Sequence, residues 1–167
     1  MEIQPEAQDM CNDYEMLQNC IIDKVFFCPQ QWKRFSPPAG VDIVWDIVPF
    51  QIESRDKVPD KANGIYSFVI TPNVADHPLN SLLIYIGKAD KMSLRKRFMS
   101  YFNEIKQMKR MPLCYLLKKY LGHLSFCFCK IDDSSKIDPL EQELINALIP
   151  PGNKEYKGKI GKARGAF

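Results

Sequence analysis

Few residues in this 167-residue chain are of a type that does chemistry, and their spacing excludes several common layouts. Two histidines, His77 and His123, cannot form an H-E-x-x-H metalloprotease pair, and neither a G-x-S-x-G nucleophile elbow nor a Walker phosphate loop is present. The six cysteines (Cys11, Cys20, Cys28, Cys114, Cys127, Cys129) include no C-x-x-C pair. A zinc module is therefore a poor fit, and reduced thiols in a cytoplasmic compartment are expected. Cys127 and Cys129 lie two apart in an apolar run, which puts both on one face of an expected strand, where packing is their natural role. What remains is charge. Between Tyr85 and Lys130 there are eleven Lys or Arg against two Asp or Glu, whereas residues 1–63 hold six against eleven. A segment this basic gathers a polyanion around itself, with an affinity that falls steeply as salt rises. Nucleic acid is the partner this points to, and a merely solvated basic face is the plainer alternative.

The rest of the chain must position that segment. At 46% hydrophobic and 26% charged residues, the composition is that of a globular protein with one core and some appendages. No apolar run approaches the roughly 20 residues that a bilayer crossing needs, and Met1 to Met10 is acidic and polar, so neither a membrane span nor a signal peptide is expected. After that loose tail, Tyr14, Leu17, Ile21, Ile22 and Val25 recur at helical spacing and predict an amphipathic helix over 12–26. Ser36-Pro37-Pro38-Ala39-Gly40 breaks the chain, and Val41 to Ile52, β-rich but holding Pro49, suggests an extended segment near a sheet edge. A second breaker, Val58 to Gly64, divides an N-terminal extension (1–62) from the basic domain (63–167).

In the second part, Ile65 to Thr71 and Leu82 to Gly87 flank a loop with Pro72, Asn73, Asp76, Pro78 and Asn80, the signature of a hairpin. Ser93 is an N-cap for a helix to about Met108 with an apolar stripe of Leu94, Phe98, Tyr101, Phe102 and Ile105. Pro112 opens a short helix through Tyr120, ended by Gly122, and Leu124 to Ile131 reads as a buried strand. Asp138-Pro139-Leu140-Glu141 has the form of an N-cap with Pro at N1 and a capping-box glutamate, opening a helix that stops before Pro150. The expected class is α/β: a short central sheet of a hairpin plus a third strand, flanked by helices, with a helical and extended N-terminal extension.

Gly64-Ile65-Tyr66 and, nineteen positions beyond that tyrosine, Tyr85-Ile86-Gly87 resemble the signature of the GIY-YIG nuclease family. The likeness continues through Lys88-Ala89, Leu94 to Phe102, Glu141 to Ile145, Pro150 and Asn153, in the order and spacing of the nuclease domain of bacterial excision-repair enzymes. The resemblance implies a small GIY-YIG-type domain and a divalent-metal endonuclease hydrolysing DNA phosphodiesters. It implies Mg²⁺, with Mn²⁺ as a substitute, held by Glu141 through a hard oxygen. Tyr66 is then the residue at the attacking water, with the general-base role open because a phenol with an ordinary pKa near 10 is a poor base. Tyr85 supports the same cluster, Lys88 is placed as the cation that would lower a phenol's pKa, and Asn153 buttresses the site.

Arg97 and Tyr101 sit one helical turn apart beside the apolar stripe. Arg97 is the arginine expected to clamp the scissile phosphate through its planar fork, and Tyr101 stands where some family branches carry His. Lys91, Arg95, Lys96, Lys106, Lys109 and Arg110, with Lys154, Lys157, Lys159, Lys162 and Arg164 of the Gly-rich tail, are expected at other phosphates or in water. Stand-alone size resembles restriction-type or other defence endonucleases, with double-stranded DNA as substrate, a homodimer matching the duplex twofold, and no membrane partner. The alternatives are a nonspecific or structure-selective nuclease of repair or mobile elements, an RNA-directed toxin, or a catalytically idle DNA-binding module.

Overall fold

Alternation of Tyr66, Phe68 and Ile70 with Ile65, Ser67 and Val69 lets one strand face two cores at once. In a computed structural model, which describes residues 25, 27–72, 74 and 81–153, this strand is β2 (Gly64–Ile70). It pairs antiparallel with β3 (Leu82–Ala89), as the hairpin spacing predicts. The other side of β2 pairs with β4 (Leu124–Lys130), and β4 in turn pairs with β1 (Asp46–Pro49). The sheet is thus four-stranded and antiparallel throughout, in the order β1-β4-β2-β3. The expected three strands are one too few. The fourth comes from the segment containing Pro49, which is tolerated because β1 is an edge strand whose outer side needs no donor.

One face of the sheet carries Tyr66, Phe68, Ile70, Phe126 and Phe128 and is covered by α2 (Leu94–Gln107) and α3 (Met111–Lys119). The opposite face carries Ile65, Ile86 and Cys129 and is covered by α4 (Ile137–Leu148) through Ile137, Leu140, Leu144 and Ile145. A short helix, α1 (Pro29–Arg34), buries none of its residues; it opens on Pro29 and ends on Lys33 and Arg34, signals that the sequence-based expectations passed over. Residues 46–58, assigned by sequence to the extension, contribute β1, a 3-10 turn (Ile52–Lys57) and the buried side chains of Val48, Phe50 and Val58. Phe50 stacks on Phe102 with ring centroids 4.5 Å apart. Phe35 packs against the second core, while Trp32 and Trp45 remain exposed.

Ser93 caps α2 as predicted, its Oγ accepting from the Lys96 N–H. The expected capping box at α4 does not form. Asp133 instead caps a 3-10 turn (Ser134–Lys136) that runs straight into the helix, so α4 begins at Ile137 with Lys136 as N-cap, and Asp138 lies inside its first turn. Glu141 is thereby released from any capping duty. Cys129 is buried, and burial pushes the thiols of Cys127 and Cys129 upward, as suits packing residues. The helix predicted over 12–26, Cys11 and Cys20, most of the hairpin loop with His77, and the basic tail after Asn153 lie outside the described residues. Among the described residues, no helix is long and apolar enough to cross a membrane.

Candidate active site

Tyr66 of β2 stands directly opposite Gly87 of β3. A Cβ on Gly87 would lie 2.5 Å from the Tyr66 hydroxyl and 2.8 Å from a ring carbon of Tyr85, so the missing side chain is the space in which the two phenols lie. The rings of Tyr66 and Tyr85 are 6.2 Å apart. Phe126 stacks beneath Tyr66 at 5.2 Å and leaves the phenol only 1% exposed.

The Tyr66 hydroxyl is 2.7 Å from that of Tyr101 and accepts a 2.9 Å hydrogen bond from Arg97 Nε, while Arg97 Nη2 donates to Tyr101 at 3.1 Å. Arg97 is held from behind by Glu104, with Nη1 2.7 Å from Oε1. The other oxygen of Glu104 accepts from Arg110 Nε at 2.8 Å. Both guanidinium groups lie over the Tyr101 ring, at 4.4 and 5.0 Å from its centroid. Burial pushes Tyr66 well above the ordinary phenol value, its neighbours Tyr101 and Tyr85 add to this, and Arg97 pulls it only partly back. Burial also raises Tyr101. Burial pushes the Glu104 carboxyl up as well, but hydrogen bonds from Arg110 and the charge of Arg97 outweigh this and hold it below the carboxylate range.

Across the cleft the construction is looser. Lys88, just before the end of β3, pairs with Asp138 and lies 3.6 Å from Glu141 Oε2 and 3.8 Å from Asp90. Burial of Glu141 raises its carboxyl pKa, Lys88 lowers it, and the nearby Asp138 and Asp90 raise it further, for a net upward shift. The cation hydrogen-bonded to Tyr66 is Arg97, whereas Lys88 serves the carboxylates.

Tyr66, Tyr85, Lys88, Lys91, Arg97 and Glu141 line one cleft of about 270 Å³, with Tyr101 buried behind Tyr66. Asn153 lies on the outer side of β3, donating to the carbonyl and accepting from the N–H of Ile86 at 2.8 and 2.9 Å. With the Gly152 N–H on the Ile84 carbonyl at 2.7 Å, it continues the sheet past its last strand. Arg95 is turned back onto the carbonyls of Val58 and Asp56 and away from the cleft. Lys96 and Lys106 are exposed on α2, and Lys109 and Arg110 border a neighbouring cavity. Lys154, Lys157, Lys159, Lys162 and Arg164 lie outside the described residues.

Two residues of the site are missing from the sequence-based expectations. Glu104 does carry a signal: it sits seven residues, two turns, beyond Arg97 on the same helical face and is one of the two acidic residues in the basic segment. Asp138 has the local form of a cap, and its pairing with Lys88 fifty residues away leaves no local signal. No family model, curated protein or solved structure matches the chain.

Proposed function

We propose that this chain is a divalent-metal-dependent endonuclease of GIY-YIG type that hydrolyses phosphodiester bonds in double-stranded DNA, with restriction-type or other defensive cleavage as its role and a homodimer as its working form. The observation that carries the reading is that a phenol, a guanidinium, an ammonium and a carboxylate from β2, α2, β3 and α4 border one small cleft. The donor set suits Mg²⁺ or Mn²⁺. Glu141 offers a partly exposed hard oxygen at the rim, and a cation that keeps most of its water needs few protein carboxylates. When bound there, such a cation supplies Lewis acidity to a phosphoryl oxygen and acidifies its water.

The chain's own groups divide the remaining work. Arg97, anchored at Glu104 and oriented by both phenols, presents a fixed positive fork to the phosphate, so little reorganisation is needed as charge develops there. Tyr66, whose hydroxyl burial pushes toward the protonated form, is placed to orient the nucleophile by hydrogen bonding. Lys88 opposes the upward push that burial exerts on the Glu141 carboxyl. Asn153 fixes the backbone of β3 between Tyr85 and Gly87 and so acts on the site by positioning.

Incubation of supercoiled plasmid with the protein, with and without Mg²⁺, tests the reading. Metal-dependent cutting that disappears in Glu141→Gln is expected, and cutting retained by that variant overturns the metal assignment. Discrete fragments support a restriction enzyme, and a smear supports a nonspecific nuclease. A gel shift without cutting supports an idle binding module.

A further inference from the structure

Beside the cleft lies a second, larger cavity of about 540 Å³, and Tyr85 and Glu141 belong to the walls of both. Its volume falls in the range of pockets that enclose small organic ligands, roughly 300–1,000 Å³. Leu113 and Ile145 supply apolar floor, Gln142 an amide, and Lys109 and Arg110 a cationic rim. Arg110 is the counterpart of Arg97: both bind the same carboxylate and cover the same tyrosine ring, but Arg97 borders the smaller cleft and Arg110 the larger one. Arg110 Nη2 is buried 2.6 Å from Glu104 Oε2 without a well-aligned hydrogen bond of its own.

A duplex backbone passing over the surface needs only the cations. A concave apolar floor adds nothing to a phosphate, whereas it suits the flat face of a base, with an aromatic wall for stacking and an amide for an edge. Resting on the nuclease reading above, we propose that this cavity receives an unpaired nucleotide adjoining the scissile phosphate, its base against Leu113, Ile145 and Tyr85 and its own phosphate at Arg110 and Lys109. The substrate class is then double-stranded DNA that carries an extrahelical nucleotide at the cut, a narrowing of the duplex substrate proposed above.

Affinity measured in EDTA, where no cutting occurs, tests this with two labelled duplexes that differ only in a single unpaired adenine. Full-length protein should prefer the bulged duplex by about tenfold, the low end of what stacking one base confers. Arg110→Gln should abolish the preference. So should Lys109→Glu, an exposed position between α2 and α3, and Lys118→Glu, an exposed charge on α3, should weaken both duplexes alike. Equal affinity of the unaltered protein for the two duplexes, binding to neither, or a preference that survives Lys109→Glu overturns the proposal. Cutting in Mg²⁺ without any preference would remove the pocket assignment alone, whereas a preference without cutting in Mg²⁺ would remove the hydrolase and leave the pocket.

Discussion

Two ion clusters face each other across the cleft, built from the same kinds of residue and differing in what surrounds them. Glu104 with Arg97 is enclosed, each 15% exposed, with Arg110 at the outer side 38% exposed, and Arg97 Nη1 and Arg110 Nε both donate short hydrogen bonds to the carboxylate. Glu141 with Lys88, Asp138 and Asp90 opens to water through Asp138, 69% exposed, and the distances from Lys88 to Glu141 and Asp90 are too long for hydrogen bonds. Enclosure makes the first cluster a rigid part of the fold, because an arginine left inside without its partner has no water to turn to. The second is soft. Its charges are screened, its members can exchange partners, and a carboxylate that must accept an incoming cation gains from that freedom.

The same substitution on each side separates the two most widely. Glu104→Gln should destabilise the protein by roughly 2–3 kcal/mol, somewhat less than for a fully buried pair, lowering Tm by several degrees and weakening Arg97's hold on phosphate. Thermal unfolding reads this directly, and a Tm within a degree of the parent would show that the enclosed network is not structural. Gly87→Ala should come next, at about 1–3 kcal/mol, because the new methyl must displace the Tyr66 hydroxyl or the Tyr85 ring. Its loss of plasmid cleavage should exceed what the fall in Tm explains, since the displaced phenol is the one that Arg97 holds.

Acid should act on the enclosed side through Glu104. Its folded pKa lies below the ordinary 4.5, so its contribution is complete above that value and is lost as pH falls through the folded pKa. The Tm difference between parent and Glu104→Gln should therefore be constant from neutrality to about pH 5 and shrink below it. A difference that shrinks already between pH 7 and 6 would contradict the downward shift.

How much of this is legible in the sequence follows the range of the interactions. Strand alternation puts Tyr66 on one face with Phe68 and Ile70 and helical spacing puts Arg97 beside the apolar stripe, but that Tyr66 and Tyr85 belong to a site is expected only by resemblance; Ser93 is legible because its cap is a three-residue signal. The edge strand is legible in part: Pro49 in a β-rich segment points to an extended piece near a sheet edge, but the pairing of Asp46 to Pro49 with Phe128 to Ser125, some eighty residues away, leaves no local signal. The capping box at Asp138 fails for a related reason. The motif is locally sound, but Asp133 starts the turn earlier and Lys88 claims the carboxylate, and neither lies within the window that a cap signal covers. Asn153 is expected to buttress the site only by resemblance, since nothing near it in sequence shows that its amide will pair with Ile86 as a strand residue would.

The smallest effect concerns Glu141. Its folded pKa lies above the ordinary 4.5, so ionisation costs more in the folded protein than in the unfolded chain, and that cost applies in full only above the folded value. Replacing it by Gln removes an ionised form that folding disfavours. At pH 7 the variant should melt at the parent's temperature or slightly above it, and the margin should vanish as pH drops below the ordinary carboxyl value, where both side chains are neutral. The ion pair with Lys88 that this substitution removes is long, partly exposed and worth at most about 1 kcal/mol, too little to reverse the sign once linkage has counted it. A variant that melts several degrees lower at pH 7 would mean that the open cluster holds the fold together as the enclosed one does. The division of labour across the cleft would then be lost, with Glu141 a structural anchor in place of a carboxylate kept available for a cation.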